Sequence, residues 1–155
     1  MTNSINADSP SISKLKLAVD KTPDIRGQFK VGLGALMSKD KEKGYIEAID
    51  TKKIQGSVYL DKATEPLYPN CKRWDYVIEY QGNLYYYEPH PAANNDDVDD
   101  IIGKAKWLFW WLKNKAPKIK CLGSKGYYWV HTGRFNISRR SRQYRNLKCF
   151  GVTPT

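Results

Sequence analysis

No acidic residue follows Asp100, and residues 101–155 carry thirteen Lys or Arg. Residues 61–100 show the opposite balance, with nine Asp or Glu against three Lys or Arg. The net charge of +10 is therefore unevenly distributed along the chain. A basic surface beside an acidic pocket suits a polyanion held over a cation, because basic side chains neutralise phosphates and release counterions. The alternative is a basic protein whose charge serves only solubility.

Cysteine is scarce, and Cys71, Cys121 and Cys149 form no C-x-x-C pair. An odd number without that spacing indicates neither a disulfide framework nor a thiolate zinc site, and it favours a reducing cytoplasm. Long apolar runs are also missing, since the longest, at 107–112, has six residues and is too short to span a membrane. The N-terminus lacks the apolar core of a signal peptide, so we expect a cytoplasmic protein.

The length predicts a single domain that is large enough to bury a core. Residues 1–20 are rich in Ser and Asn and predict a disordered or loosely docked N-terminal arm. The domain then comprises residues 21–155 and ends in a basic C-terminal segment. Apolar spacing from Thr22 to Met37 predicts a helix, and residues 38–44 predict a solvated connection.

The most informative stretch is residues 73–91, where two tyrosine-rich runs flank Gly82-Asn83. A Gly-X pair between such runs predicts a two-residue hairpin turn. In that register Asp75 faces His90 and lies diagonal to Glu88. All three share one face, because side chains alternate along a strand. A divalent ion between Asp75 and Glu88 could draw the carboxylates together. The alternative is a half-solvated hairpin whose polar residues face water.

A long helix is predicted after the hairpin, from Asp97 to Lys115, because its apolar residues form one stripe. Three tryptophans fall outside that stripe: Trp107, Trp110 and Trp111. They require a second packed layer, a subunit interface or a ligand, and a homodimer through the Trp107/Trp111 face is one option. A strand is predicted at 126–133, followed by a short basic helix or arm. The predicted fold class is α/β, a single domain with a mixed sheet centred on the hairpin and flanked by helices.

This order of elements, with an acid on each hairpin strand, resembles the core of the PD-(D/E)XK nuclease superfamily, the restriction-endonuclease-like fold. The resemblance covers roughly residues 45–133 in element order. Asp75 matches the first acid of the motif and Glu88 the second, while His90 stands where the family has its Lys. A wider pattern through Gly56-Ser57-Val58, Trp74-Asp75 and His90-Pro91 also resembles a group of uncharacterised bacterial proteins, which implies no activity.

The resemblance implies metal-dependent hydrolysis of phosphodiester bonds. Asp75 and Glu88 are the implied ligands of Mg²⁺ or Mn²⁺, and His90 is implied as a base or as a further ligand. Lys104 or Lys106, at the flanks of the helix stripe, could reach back as a substitute cation, although such lysines are commonly solvated. Some members of the family place an extra acid on a preceding helix, and the candidates here are Glu47, Asp61 and Glu65.

Nucleic acid is the predicted partner, with DNA favoured over RNA. The predicted phosphate contacts are basic residues of the C-terminal segment: Arg134, Arg139, Arg140, Arg142, Arg145 and Lys148. A catalytically degenerate member of the family and a non-enzymatic interaction module remain as alternatives. A glycosidase using Asp75 and Glu88 is a third, but it gives the basic segment no role. His131 is predicted to be a structural, hydrogen-bonded histidine.

Overall fold

A computed structural model of the chain describes residues 12–42 and 51–155. Within them the protein is a single mixed α/β domain. Its helices are α1 (Lys14–Asp20), α2 (Ser38–Glu42), α3 (Leu60–Thr64), α4 (Asn95–Asn114), α5 (Pro117–Lys120) and α6 (Arg142–Cys149). Its strands are β1 (Lys30–Val31), β2 (Ile54–Tyr59), β3 (Tyr76–Tyr80), β4 (Asn83–Pro91), β5 (Gly126–Thr132) and β6 (Val152–Pro154). Two 3₁₀ turns lie at Pro23–Ile25 and Thr51–Lys53.

The described strands form one mixed sheet in the order β1-β2-β3-β4-β5-β6. Strands β1 to β4 pair antiparallel, whereas β5 runs parallel to β4 and β6 runs parallel to β5. Helix α4 lies in the connection between β4 and β5, because parallel neighbours need a long crossover. The β3-β4 hairpin is central, which confirms the predicted α/β class with a mixed sheet around it.

Helix α4 begins with a capping box. The Asn94 side chain accepts hydrogen bonds from the N–H groups of Asp96 and Asp97, and the Asp97 carboxylate accepts from the Asn94 N–H. The apolar stripe of the helix, with Ile101 and Leu108 fully buried, shares one core with sheet residues such as Val77 and Tyr86. The predicted long helix is confirmed. Lys104, which flanks the apolar stripe, contacts Glu88 on β4.

The hairpin turns at Gln81-Gly82, one residue earlier than predicted. Both residues have positive φ, 49° and 78°, as a type I′ turn requires, and Tyr80 pairs with Asn83. The prediction that Gly82 lies in the turn is confirmed. However, Gly82 is the second of the two central turn residues, whereas the prediction made it the first. The observed register therefore differs by two residues from the predicted one. An even shift leaves each side chain on its predicted face.

The predicted helix from Thr22 to Met37 is wrong. Only Pro23–Ile25 is helical, and β1 follows as a short edge strand. Gly27 and Gly32 interrupt the helical pattern, because each adopts a positive φ, 79° and 57°, that a right-handed helix does not contain. The predicted solvated connection is also wrong over 38–42, where α2 forms. Residues 43–50, including Glu47, lie outside the described residues.

The part of the predicted N-terminal arm that is described is packed against the domain. Helix α1 buries Leu15, Ala18 and Val19, and the Ser13 side chain caps its first turn. The buried carboxylate of Glu79 on β3 accepts hydrogen bonds from the Ser13 hydroxyl and from the N–H of Lys14 at 3.2 Å. The expected loose arm is thus corrected for residues 13–20, and residues 1–11 lie outside the described residues.

We predict that Glu79→Ala loosens α1. The change leaves the Ser13 hydroxyl and two backbone N–H groups without their charged acceptor, and hydrogen bonds to charged groups contribute about 1.5–3 kcal/mol each. Urea unfolding should show a loss of about 2 kcal/mol or more, and hydrogen exchange should speed up in residues 14–20. Lys16→Ala, which removes an exposed i,i+4 ion pair with Asp20, is the control and should cost less than about 0.5 kcal/mol. Unchanged exchange in α1 would contradict this anchoring role.

Two of the tryptophans outside the stripe are buried by the chain itself. Trp107 and Trp111 stack with ring centroids 5.7 Å apart, and Trp111 Nε1 donates to the Asp24 carboxylate at 3.0 Å. Asp24 beside Trp111 and Tyr68, whose ring lies edge-on to Trp107, thus belong to the second packed layer that these side chains require. The homodimer through the Trp107/Trp111 face loses its basis, because neither ring is available to a second protomer. Trp110 remains 44% exposed.

Candidate active site

The hairpin places Asp75 next to Glu88. Tyr76 pairs with Tyr87, and one residue further out the backbone N–H of Asp75 donates to Glu88 Oε2 at 2.7 Å. The two acids are therefore direct neighbours rather than the predicted diagonal pair. The Glu88 side chain is fully buried, and that of Asp75 is 17% exposed.

Helix α4 brings Lys104 to the same two acids. Lys104 Nζ donates to Glu88 Oε1 and lies 3.6 Å from Asp75 Oδ1. The Lys104 side chain is only 19% exposed, unlike the solvated lysines that commonly flank an apolar helix stripe. Lys106, the other lysine considered, is exposed. Three of the four predicted catalytic residues, Asp75, Glu88 and Lys104, thus form one cluster between the hairpin and α4.

Burial dominates the electrostatics of this cluster. It raises the pKa of Glu88 well above the ordinary value, and the charge of Asp75 raises it further. The pKa of Asp75 is raised to about 6, mainly by burial; Lys104 opposes the shift, and Asp61 and Asp40 add to it. Burial lowers the pKa of Lys104, but the charges of Glu88 and Asp75 outweigh it, so the pKa is raised. One protonated lysine faces two acids, which favours a further cation.

A third acid, Asp40, lies near the cluster and was missed from the sequence. Asp75 and Asp40 both line a cavity of about 230 Å³, together with Tyr59, Pro89 and Thr132 among others. Asp40 is 5% exposed and accepts a hydrogen bond from the Tyr76 hydroxyl at 2.6 Å. The alternating charges of residues 38–42 resemble a solvated helix or loop, so no local signal marks Asp40 as buried.

Of the predicted candidates for an extra acid, Asp61 is close enough for its charge to raise the pKa of Asp75 and of Lys104, although it does not line the cavity that Asp75 borders. Asp61 forms an ion pair with Arg73, with Oδ1 2.8 Å from Nε. Asp61 and Glu65 line a larger cavity of about 670 Å³, which shares Met37 and Tyr59 with the smaller one. Asp40 shares the smaller cavity with Asp75, whereas Asp61 is held in its ion pair with Arg73.

His90 does not join the acid pair. Its Nδ1 lies 3.8 Å from Asp97 Oδ1, and its Nε2 lies 3.8 Å from Asp100 Oδ2. Within the described residues no hydrogen bond or ion pair links His90 to Asp75 or Glu88. The predicted role of His90 beside Asp75 is corrected, because the two-residue change in register puts Glu88 opposite Asp75 and moves His90 beyond the pair.

The six basic residues predicted to contact phosphate are all exposed. Among the described residues none of their side chains forms an ion pair with a carboxylate. The segment that carries the first of them is fixed close to the end of β4, because the Asn136 N–H donates to the Ala92 carbonyl at 2.8 Å and Ile137 is buried. Helix α6 then packs against α4. The basic surface therefore begins next to the strand end that carries the acid cluster.

His131 has the structural environment that the sequence predicted. Its Nδ1 lies 2.8 Å from the Gly133 carbonyl, and its ring contacts Phe135 edge-on, with centroids 5.4 Å apart. Phe135 in turn packs on Trp129, whose Nε1 donates to the His90 carbonyl at 3.0 Å. These contacts join the basic segment to β4 and β5.

No protein-family model matches the chain, and neither a curated protein nor a solved structure matches it significantly. The described residues include no helix with both the length and the apolar character needed to cross a membrane.

Proposed function

We propose that the protein is a metal-dependent nuclease of the PD-(D/E)XK type, in which Lys104 of α4 takes the place of the motif lysine. The observation that carries this proposal is the contact of one buried ammonium group with both motif acids, Asp75 and Glu88. In the family motif the lysine would stand at position 90. In this chain the His90 side chain lies near Asp97 and Asp100 rather than the acid pair. A cation supplied from the following helix offers the same charge at the same acids.

The arrangement of elements supports this assignment. Strands β2, β3 and β4 form an antiparallel meander, and α4 leads from β4 to the parallel strand β5. The acids lie at the start of β3 and near the end of β4, on the face that α4 covers. A restriction-endonuclease-like core is the fold that we propose on this basis.

The side chains at the cluster fit a hard divalent cation. Asp75, Glu88 and Asp40 supply carboxylate oxygens of the kind that Mg²⁺ and Mn²⁺ prefer, and Asp75 and Asp40 border the same cavity. Burial, with the charges of neighbouring acids added, raises the pKa of Asp75 and of Glu88, and a bound cation would stabilise both carboxylates in their ionised form. When bound, the ion would offset charge on the phosphate and lower the pKa of an attacking water.

Lys104 would act as a charged hydrogen-bond donor. Its raised pKa keeps it protonated at neutral pH, so it is unsuited to accept a proton from water. A protonated amine beside Glu88 can orient a water molecule or offset the negative charge that develops on the scissile phosphate. The exposed basic residues next to β4 would hold the rest of the polynucleotide, with DNA proposed ahead of RNA. The proposed compartment is the cytoplasm, where the three exposed, unpaired cysteines would stay reduced.

The alternative function is nucleic-acid or protein binding without catalysis. The observation in its favour is that Lys104 already forms an ion pair with Glu88, so a metal ion would have to share that carboxylate with the lysine. The deciding experiment is a nuclease assay on plasmid, single-stranded and branched DNA and on RNA, with Mg²⁺ and Mn²⁺ in parallel. Metal-dependent cleavage that disappears with EDTA supports the nuclease. Binding without cleavage of any of these substrates supports the alternative.

Binding itself gives a separate prediction. If the exposed arginines contact phosphates, DNA affinity should fall with salt at a slope of about 0.9 per phosphate neutralised. Arg139→Glu with Arg140→Glu should weaken binding on every sequence and reduce that slope by about two. Fluorescence anisotropy between 50 and 200 mM salt, about the range over which such contacts are screened, measures both quantities.

Lys118→Glu with Lys120→Glu is the matched control for this pair. It makes the same change in net charge on exposed residues of α5, which follows the opposite end of α4. The control should retain most of the affinity. An equal loss in both double variants would point to net charge alone and would contradict a localised basic binding surface.

A further inference from the structure

A second group of metal-ligating side chains lies beside the acid cluster. His90 follows Glu88 on the same face of β4, and Asp97 and Asp100 precede Lys104 on α4 by two turns and one turn, respectively. One ligand atom from each of His90, Asp97 and Asp100 lies within 4.8 Å of one from each of the others. The side chains of His90 and Asp97 are largely shielded, at 16% and 17% exposed.

Each of these three side chains is held by one atom and leaves another free. His90 Nδ1 lies 2.8 Å from the Pro91 carbonyl, so Nε2 remains available. Asp97 Oδ2 accepts from the Ala93 N–H at 2.7 Å, so Oδ1 remains available. Asp100 Oδ1 accepts from Lys72 Nζ at 2.6 Å, so Oδ2 remains available. Hydrogen bonds of this kind to the distal atom orient the ligands of protein metal sites.

We propose that His90, Asp97 and Asp100 form a binding site for a first-row transition-metal dication. An imidazole nitrogen with two carboxylate oxygens suits Mn²⁺, Zn²⁺ or a related ion better than Mg²⁺, which takes oxygen ligands. Ligands bound at about 2.1 Å lie about 3 Å from one another, so the 3.8 Å between His90 Nε2 and Asp100 Oδ2 needs to close by less than about 1 Å. A ligand atom of Asp97 lies within the 4.8 Å that spans the whole group. The bound ion would fix the end of β4 to the first turns of α4.

This site is separate from the proposed nuclease centre and does not depend on it. His90 and Glu88 are two residues apart on an extended strand, about 6.6 Å between Cα atoms. Two-metal catalytic centres hold their ions about 3.5–4 Å apart, usually through a shared carboxylate. No such bridging group joins the two clusters within the described residues, since Glu88 interacts with Lys104 and Asp75 and not with His90.

Pulsed EPR of the full chain with Mn²⁺ tests the proposal, because an ion bound to imidazole shows nitrogen modulation that an all-oxygen site lacks. We expect this modulation in the wild type and in Asp75→Asn, and its loss in His90→Ala. The apparent Mn²⁺ affinity of this signal should fall at least about tenfold in Asp100→Asn. Zn²⁺ should displace the signal.

Two controls make the result specific. Asp99→Asn removes the same charge from an exposed residue of the same helix turn, and His131→Ala removes the other histidine; both should retain the signal. The proposal is overturned if the wild type shows no nitrogen modulation, or if modulation survives His90→Ala. Loss of the modulation in Asp75→Asn would overturn it too, because it would assign His90 to the nuclease centre. A retained signal without any nuclease activity would support this site and count against the proposed function alone.

Discussion

Lys104→Met is expected to lower metal-dependent DNA cleavage by about 10²- to 10³-fold while DNA affinity stays within a few-fold of the wild type. The methionine keeps most of the length of the side chain but removes the ammonium group that contacts Glu88 and Asp75. The cleavage rate at saturating DNA isolates this effect from binding. Lys106→Met is the matched control, because Lys106 lies two residues along the same helix, is exposed and approaches the Phe150 ring rather than the acids.

Folding must be measured alongside this result. Removing one partner of a buried ion pair typically costs about 3–5 kcal/mol, because the other charge is left uncompensated. Glu88 can limit that cost by taking up a proton, given its raised pKa. The neutral double variant Glu88→Gln with Lys104→Met should regain stability over the single variant without regaining activity. Full activity in a folded Lys104→Met protein would remove Lys104 from the chemistry and with it the main support for the proposed function.

The parts of the fold that the sequence predicted are those with strong local signals. The two tyrosine-rich runs became β3 and β4, and the 126–133 segment became β5 within a residue. Helix α4 has a long apolar stripe, so its extent and most of its buried face were predicted, although it begins at Asn95, two residues before the predicted Asp97. Around Gly27 and Gly32 the apolar spacing was misleading, because positive φ at the glycines is invisible to a periodicity argument.

The site was less predictable than the fold because it depends on packing between elements. Alternation along β3 and β4 places Asp75 and Glu88 on one face whether or not the turn position is exact. Whether Lys104 reaches them depends on how α4 lies across the sheet, which no local pattern specifies. Asp40 and Trp111 make the same point, since each is buried by a contact from a distant segment, with Tyr76 and Asp24 respectively.

Asp75→Asn should have opposite effects on activity and on stability. Loss of a metal-binding carboxylate removes several kcal/mol of transition-state stabilisation, so cleavage should fall by at least about 10³-fold. The metal-free variant should nevertheless be more stable than the wild type at pH 7.5. Burial makes the ionised Asp75 unfavourable in the folded state, as its pKa of about 6 indicates, and Asn carries no charge to bury.

The pH dependence of this stability difference follows from the direction of the shift. The folded-state pKa of Asp75 is about 6, raised from the ordinary value of 3.8 that represents the unfolded chain. Below about pH 4 the carboxyl is protonated in both states, so the variant and the wild type should have similar stability. Between about pH 4 and 6 the unfolded state loses its proton first, and wild-type stability declines relative to the variant. Above about pH 6 the difference should be complete, and urea unfolding at pH 4, 5, 6 and 7.5 measures it.

The effect of Mg²⁺ on the melting temperature tests independently whether Asp75 binds a metal ion. An ion that binds only the folded state raises the melting temperature, and saturation at 100 times Kd corresponds to about 2.7 kcal/mol. Mg²⁺ should therefore stabilise the wild type and Asp99→Asn but not Asp75→Asn, and its preference for oxygen ligands limits binding at His90. Equal stabilisation of the wild type and Asp75→Asn, or a variant that is less stable than the wild type at pH 7.5, would show that Asp75 is a structural hairpin residue. In that case the acid pair would serve the packing of β3 and β4 against Lys104, and the chain would bind nucleic acid, if at all, through its basic segment alone.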